Sequence, residues 1–367
     1  MRIAILGTRG VPARYGGFET LAEELSARLA ARGHDVTVYT RPRYAEPGLA
    51  EWRGARVRVL PTISTKYLDT VVHGALSAVD AAFERYDAIL VCNAINASAS
   101  FFPRVAGTTR IVLNVDGLER NRRKWSAAGR WAYRFSEKVS TIVPDVVVSD
   151  ARVIQAYYRE RYGFESVYIP YGGDLPAPKG LETLERLGLS PERYALYVSR
   201  LEPENNADAV VRAWRDVPGQ TPLVVVGDAP YAADYIARVR SEADPRVRFP
   251  GAIYGEGYRQ LLANAAVYIQ ATEVGGTHPA LVEALGYGRI VCYHASPENE
   301  EVANGAALPF DVHRPETLAA RLTEILADPP AFSVWKEKAA ARVRDRYRWE
   351  DVADRYEAVL EGKNLIS

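Results

Sequence analysis

Arg2-Ile-Ala-Ile-Leu-Gly7-Thr-Arg-Gly10-Val-Pro-Ala-Arg14-Tyr-Gly16-Gly-Phe18 opens the chain and decides its fold. Residues 2–6 read as a strand whose positions 3–6 are apolar, ended by a cluster of turn residues. From 18 to 32, Leu21, Leu25 and Leu29 recur at helical spacing, and Gly33 follows as a left-handed cap. Strand, glycine-rich loop and helix in this order begin a parallel sheet covered by helices. At Gly16 and Gly17 the missing side chains let backbone N–H groups approach an anion, and the helix dipole favours negative charge there. Arg9 and Arg14 are candidate phosphate contacts. The spacing is neither G-x-G-x-x-G nor G-x-x-x-x-G-K, and the next strand ends in Thr40-Arg41 with no acid to hold a ribose. Dinucleotide and P-loop readings are weakened accordingly. The competing reading is a glycine turn with solvated arginines.

The same rhythm runs through the chain. Strands are expected at 2–6, 36–39, 57–60, 88–91, 110–113, 146–148 and 167–169, with helices between. The stretch Pro170-Tyr-Gly-Gly-Asp-Leu-Pro-Ala-Pro-Lys-Gly180 breaks it and reads as a linker. Strands resume at 194–198, 223–226, 247–249, 267–269 and 290–293, and an amphipathic segment, 349–360, closes the chain. The expected fold class is α/β: two Rossmann-like, doubly wound domains facing a cleft, 1–172 and 173–345, followed by a tail, 346–367. Ligands of such sheets bind at the carboxyl ends of strands.

Composition bounds the function. The 367 residues are 48% hydrophobic and 25% charged, with formal net charge zero, so no global field recruits nucleic acid. Cys92 and Cys292 sit in apolar runs and read as buried thiols, not a disulfide or metal site. Residues 3–6 read as a core strand, not a signal peptide, and no run reaches the roughly 18–20 apolar residues of a membrane span. A cytoplasmic protein is expected, peripheral to the inner face of the plasma membrane at most.

Two further loops carry chemistry. In Tyr197-Val-Ser-Arg-Leu-Glu-Pro-Glu-Asn-Asn206, Arg200 leaves a strand end where a guanidinium can grip a diphosphate with two hydrogen bonds. A salt bridge to Glu202 or Glu204 is the alternative. In Glu273-Val-Gly-Gly-Thr-His-Pro-Ala-Leu-Val-Glu-Ala-Leu-Gly286, a glycine pair leads from a strand into a helix expected to start at Thr277, with Pro279 in its first turn. N–H groups at Gly276 and Thr277 form a candidate anion site, and Glu283 can accept both hydroxyls of a ribose. Taken alone, Glu283 would read as a solvated helix residue.

With these motifs in place, the chain resembles the retaining family 4 glycosyltransferases of GT-B architecture, and within them the bacterial rhamnosyltransferase-like subgroup. The similarity runs over nearly the whole chain. It is carried by the N-terminal segment through Arg41, by Lys66-Tyr-Leu-Asp-Thr-Val-Val-His73, Asn114-Val-Asp-Gly-Leu-Glu119 and Pro203-Glu-Asn-Asn206, and by Gly275-Gly-Thr-His-Pro-Ala-Leu-Val-Glu-Ala284. The resemblance implies a nucleotide-sugar donor bound mostly by the C-terminal domain, with Arg200 on the diphosphate, Gly276 and Thr277 near phosphate and sugar, and Glu283 on the ribose. Gly16 and Gly17 would close over the donor. Asp116 stands where many relatives carry a histidine near the reacting sugar, and the last helix is expected to cross back to the first domain. Base recognition is expected near Gly251-Ala-Ile-Tyr254-Gly255. Two positions depart from the pattern: Asn205 where relatives place Lys, and Gly275 where they place a carboxylate. Both are read as donor adjustment.

The expected reaction is transfer with retention, Arg200 and the helix start stabilising the leaving diphosphate, the acceptor proton passing to a departing phosphate oxygen. No cofactor and no metal is expected beyond the donor, for which the subgroup suggests dTDP-L-rhamnose. On the acceptor side, Arg120, Arg122, Arg123 and Lys124 interleave with Trp125, Trp131 and Tyr133, a basic aromatic helix suited to anionic lipid or a lipid diphosphate. The subgroup implies an undecaprenyl-diphosphate-linked acceptor. A solvated helix with core tryptophans is the alternative there. The rival functions are a nucleotide-sugar epimerase, for which His278 has no visible partner, and a non-catalytic nucleotide-sugar or glycan-binding protein.

Overall fold

The structure, a computed structural model, describes residues 1–63, 65, 68–107, 109–117, 120, 126–229, 231–363 and 365. It divides into two compact units, Met1–Tyr171 with Trp349–Ser367, and Gly172–Arg348.

The first unit holds β1 (Arg2–Leu6), β2 (Asp35–Thr40), β3 (Glu51–Trp52), β4 (Ala55–Val59), β5 (Ala88–Cys92), β6 (Arg110–Asn114), β7 (Val146–Ser149) and β8 (Val167–Tyr168). They form one sheet in the order β3-β4-β2-β1-β5-β6-β7-β8. Neighbours are parallel except at the β3–β4 edge. Ile3 of β1 faces Val36 on one side and Ala88 on the other, so the chain leaves β1 in one direction and returns on its far side. That makes a switch point between β1 and β5.

The second unit repeats the plan with β9 (Ala195–Val198), β10 (Leu223–Val226), β11 (Val247–Gly251), β12 (Val267–Gln270), β13 (Ile290–His294) and β14 (Leu308–Phe310). All are parallel, in the order β11-β10-β9-β12-β13-β14, with the switch point between β9 and β12. Helices cover both faces, so these strands are apolar on both sides instead of alternating with polar residues. Successive side chains feed opposite layers. Leu223 and Val225 join Trp214 in one core, while Val224 and Val226 join Tyr194 and Leu196 in the other.

All twelve expected strands are present, with ends shifted by at most two residues. Two edge strands were not anticipated. β3 has two residues, and β14 carries Pro309, which removes a ladder donor and counts against a strand in the sequence. Cys92 and Cys292 are buried free thiols.

The terminal helix Trp349–Leu360 belongs to the first unit and packs on helix Gly17–Ala31. Arg28 reaches Glu350 at 3.0 Å, and Arg32 reaches Glu350 and Asp354 at 2.8 Å and Glu357 at 2.6 Å. Beneath these ion pairs Trp349 is fully buried, and the Asn114 amide donates to Tyr356 Oη at 2.6 Å. Exposed ion pairs contribute little, whereas a buried indole contributes much. Trp349→Ala is therefore expected to cost about 3–5 kcal/mol. A denaturant titration of the variant reads this as a lowered midpoint, and an unchanged midpoint would contradict it.

Candidate functional site

In the second unit, the loop after β9 is organised around one backbone oxygen. The Arg200 carbonyl accepts from the Glu202 N–H at 2.8 Å, Ser199 Oγ at 2.9 Å and the Asn205 amide at 2.6 Å. Tyr197, rising from the core, donates its hydroxyl to the Asn205 carbonyl at 2.5 Å. Asn205 is thus a buried, uncharged brace of the loop, and its Oδ1 has no partner among the described residues. The Arg200 guanidinium lies 3.6 Å from the buried Glu202 carboxylate, which also accepts from Tyr231. The salt bridge that competed with the diphosphate reading is therefore present, and an incoming phosphate would share Arg200 with Glu202.

The loop after β12 is stitched to this one. The Glu273 N–H donates to the Glu204 carbonyl at 3.1 Å, and the Asn206 amide donates to the Ala271 carbonyl at 2.9 Å. Arg200, Asn205, Gly275, Gly276 and Thr277 consequently sit on adjoining loops at the carboxyl ends of β9 and β12, where a doubly wound sheet receives its ligand. The helix begins at Pro279 with His278 as its cap, two residues later than expected. Proline cannot donate and is preorganised for the first helical position, so the glycine pair and Thr277 stay in the loop. At Gly275 a Cβ would come within 2.4 Å of His278 Cε1, so the imidazole fills the space a side chain at 275 would need. Glu283 is buried, not solvated, and its Oε2 accepts from Tyr258 at 2.5 Å. Burial, followed by the Glu283 charge, pushes the Tyr258 phenol well above its ordinary range, which fixes it as a donor. Tyr254 is half exposed after the edge strand β11 and caps the next helix, two strands away from β9.

The first unit treats its cations differently. Gly16 is extended and Gly17 starts the helix, but the dipole there is already met by buried Glu19, whose Oε1 accepts from the Arg9 N–H at 2.8 Å. Arg9 stacks 3.4 Å from the Tyr15 ring centroid and donates to Tyr44 at 3.1 Å, while Arg14 pairs with Glu46. Both arginines brace the loop. Arg41, at the end of β2, is buried and bonded to Asp69 at 2.5 Å. Next to it His73 is wholly buried. Asp116 has φ of 50° and Asn93 φ of 74°, two left-handed positions closing β6 and β5 that flank a small pocket with Tyr133 and Glu137. Arg120 turns inward, paired with buried Glu137 and bonded to Tyr157 at 2.6 Å, and does not share the exposed face that holds Trp131. Arg122, Arg123, Lys124 and Trp125 lie outside the described residues, as do Lys66 and Tyr67.

Known proteins match this arrangement. Residues 16–172 match the glycosyl transferase 4-like domain, and residues 192–328 match the glycosyl transferases group 1 domain, together most of the chain. The chain belongs to the glycosyltransferases. A sucrose-phosphate synthase from Thermosynechococcus elongatus superposes with a TM-score of 0.81 at 20% identity, over 98% of both chains. Anabaena HepE, solved with UDP-glucose, gives 0.79 at 17% identity over 98% of this chain and 99% of that one. WaaG, a glycosyltransferase of lipopolysaccharide biosynthesis, gives 0.72 at 17% identity over 99% and 100%. These likenesses establish the GT-B fold. In sequence, the O-antigen chain mannosyltransferase B of Escherichia coli is 25% identical over 181 residues, a match spanning 47% of this chain and 46% of that protein.

Two residues that shape this glycosyltransferase's loops carried no signal in the sequence: Tyr231 and Tyr258 act through Glu202 and Glu283, 29 and 25 positions away. Among the described residues, the group that could hold a metal ion, His34, Glu357 and Glu361, lies in the first unit beside the Arg32 ion pairs.

His73 yields a measurable consequence. Burial, and then the nearby Arg41 charge, push its imidazole down to about 4 from an ordinary value of 6.5. The folded state therefore binds fewer protons than the unfolded chain between those values, so stability is full above pH 6.5 and falls as pH drops toward 4. The loss amounts to about 3 kcal/mol at most. His73→Gln is expected to flatten this acid limb of a melting-temperature profile, and parallel profiles would refute the assignment.

Proposed function

We propose that the chain is a retaining, nucleotide-sugar-dependent glycosyltransferase whose donor is held by the second unit. The observation that carries this reading is the stitching of the Arg200 loop to the Gly275–Thr277 loop across the β9–β12 switch point. The guanidinium and the backbone N–H groups near the helix start would meet the charge that develops on the leaving diphosphate, without a metal. Glu283, oriented by Tyr258, would accept from the ribose hydroxyls, and Tyr254 would lie along the base. Retention follows from a same-face approach in which a departing phosphate oxygen takes the acceptor proton. Asp116 would lie near the reacting sugar.

For the finer assignment, the subgroup resemblance favours dTDP-L-rhamnose as donor and a saccharide on a lipid diphosphate as acceptor, in the synthesis of a cell-surface polysaccharide. The E. coli relative is named for O-antigen chain assembly and the Anabaena structures for UDP and UDP-glucose, which support the donor class and leave UDP-hexoses as the competing choice. The enzyme would work in the cytoplasm against the inner face of the plasma membrane, with the basic aromatic helix Ala127–Ser140 meeting anionic lipid. No helix among the described residues is long and apolar enough to cross a membrane.

Thermal shift against UDP, dTDP and GDP tests the donor assignment, since a ligand held by the native state raises its stability. Stabilisation by dTDP above the others is expected; no response to any of the three would sink the reading. Loss of one preorganised diphosphate contact is worth about 10²–10³ in rate. Arg200→Ala is thus expected to slow transfer more than tenfold, measured as sugar moved to acceptor under saturating donor. Epimerised sugar from donor alone would assign an epimerase, and binding with no turnover a nucleotide-sugar-binding protein.

A further inference from the structure

Helix Ala127–Ser140 in the first unit is built inside out. Its inward face is Tyr133, Ser136, Glu137 and Ser140, with the Glu137 carboxylate satisfied by Arg120, Tyr157 at 3.0 Å and Tyr162 at 2.9 Å. Its outward face carries Trp131, 67% exposed, and Phe135, 53% exposed, stacked with centroids 5.8 Å apart and planes 13° apart. Exposed Arg130, Arg134 and Lys138 alternate with that aromatic pair, and Ile142 beyond the helix is 70% exposed. A helix that only covered the sheet would turn the opposite way.

The neighbouring helices extend the pattern. Crossovers β4→β5, β5→β6 and β6→β7 all run the same way across the sheet, so right-handed connections put helices Leu68–Glu84, Phe101–Ala106 and Ala127–Ser140 on one face. Phe101 and Val105 are more than half exposed and Phe102 nearly so, and Arg104 pairs with Asp145 just past Ile142. Most of the exposed large apolar side chains among the described residues belong to the first unit, and only Leu181, Tyr231, Tyr254 and Val334 to the second. Scattered apolar side chains need no explanation, but a layer of them interleaved with cations marks an interaction surface.

We propose that this layer inserts into an anionic lipid monolayer, Phe101, Phe102 and Val105 entering beside Trp131 and Phe135 while Arg130, Arg134 and Lys138 meet the headgroups. The choice of occupant rests on charge: the outward face of helix Ala127–Ser140 has three cations and no acid, since Glu137 is buried. Long cationic stems can reach the headgroups above inserted aromatics. This inference deepens the lipid-linked reading above. It adds an apolar insertion outside the basic helix, and hence attachment that outlasts the screening of charge.

Flotation of the full chain, without donor or acceptor, tests it with vesicles of phosphatidylcholine alone and of phosphatidylcholine with phosphatidylglycerol, at low and high salt. Binding to the anionic vesicles is expected at low salt, with a part surviving high salt. The double variant Arg130→Gln, Arg134→Gln should weaken low-salt binding about thirtyfold, since each cation near an anionic surface is worth roughly fivefold. Phe101→Ser with Phe102→Ser should reduce the salt-resistant part about tenfold or more. All four positions are exposed, and nucleotide-induced thermal shift checks that each variant is folded. Absence of flotation, or binding abolished by salt and indifferent to the phenylalanine pair, overturns the proposal. So does a dimer in sedimentation that the phenylalanine pair alone dissolves, which would give the face to a second copy. Failure here with an intact nucleotide shift leaves the donor assignment standing.

Discussion

The backbone oxygen of Arg200 is the fixed point on which the second unit's strand-end loops depend. Three donors converge on it within 2.9 Å, one from the loop backbone, one from Ser199 and one from Asn205. A carbonyl has two lone pairs, so this one is saturated, and its peptide plane is held from three directions. The Arg200 side chain therefore leaves a backbone with little freedom, and its loop ties in turn to Ala271 and Glu273 beyond β12. Preorganisation of this kind lets a guanidinium act on developing charge without first paying to find its place. Asn205 contributes to this geometry through its amide and adds no charge of its own.

In the first unit the equivalent constraint is the neutralisation of buried charge. Glu19 takes the Arg9 N–H, Arg41 is matched by Asp69, and Glu137 is surrounded by Arg120, Tyr157 and Tyr162. A buried charge without partners would be costly, and each of these is met by groups from a different segment. The glycine-rich loop after β1 is consequently a braced element. Its arginines act through Tyr15, Tyr44 and Glu46 on the shape of the loop, whatever they do for a ligand.

What the sequence disclosed follows the same division. Strands buried on both faces write continuous β-branched runs, and Leu21, Leu25 and Leu29 write a helix, so the two doubly wound sheets were legible throughout. The exceptions have physical causes: Pro309 disguises β14, and two residues at β3 carry too little pattern. The placement of Arg200 and the glycine pair in loops at strand ends was legible because a charged residue and glycine follow the apolar runs of β9 and β12, respectively. Tyr258 on Glu283, Tyr231 on Glu202 and the inward turn of Arg120 were not, because each depends on a partner distant in sequence that only the fold brings close. The helix start at Pro279 in place of Thr277 reflects a local competition, in which proline's fixed φ outweighs a threonine's capping ability.

The inverted helix shows why residue type alone misleads on surfaces. From the sequence, Trp131 and Tyr133 are equivalent aromatic neighbours in a basic segment. In the fold, Tyr133 packs inward and lines the pocket beside Asp116, while Trp131 stacks on Phe135 in solvent. The buried side of the helix is polar because it must satisfy Glu137, and that carboxylate is what fixes Arg120 near the end of β6. Once that side is committed, Trp131 and Phe135 are left on the outward side. An exposed aromatic pair is a solubility liability unless a partner covers it, and its cationic neighbours set the sign of that partner. One buried carboxylate thus links the pocket beside Asp116 to the chemistry of the opposite side of the same helix.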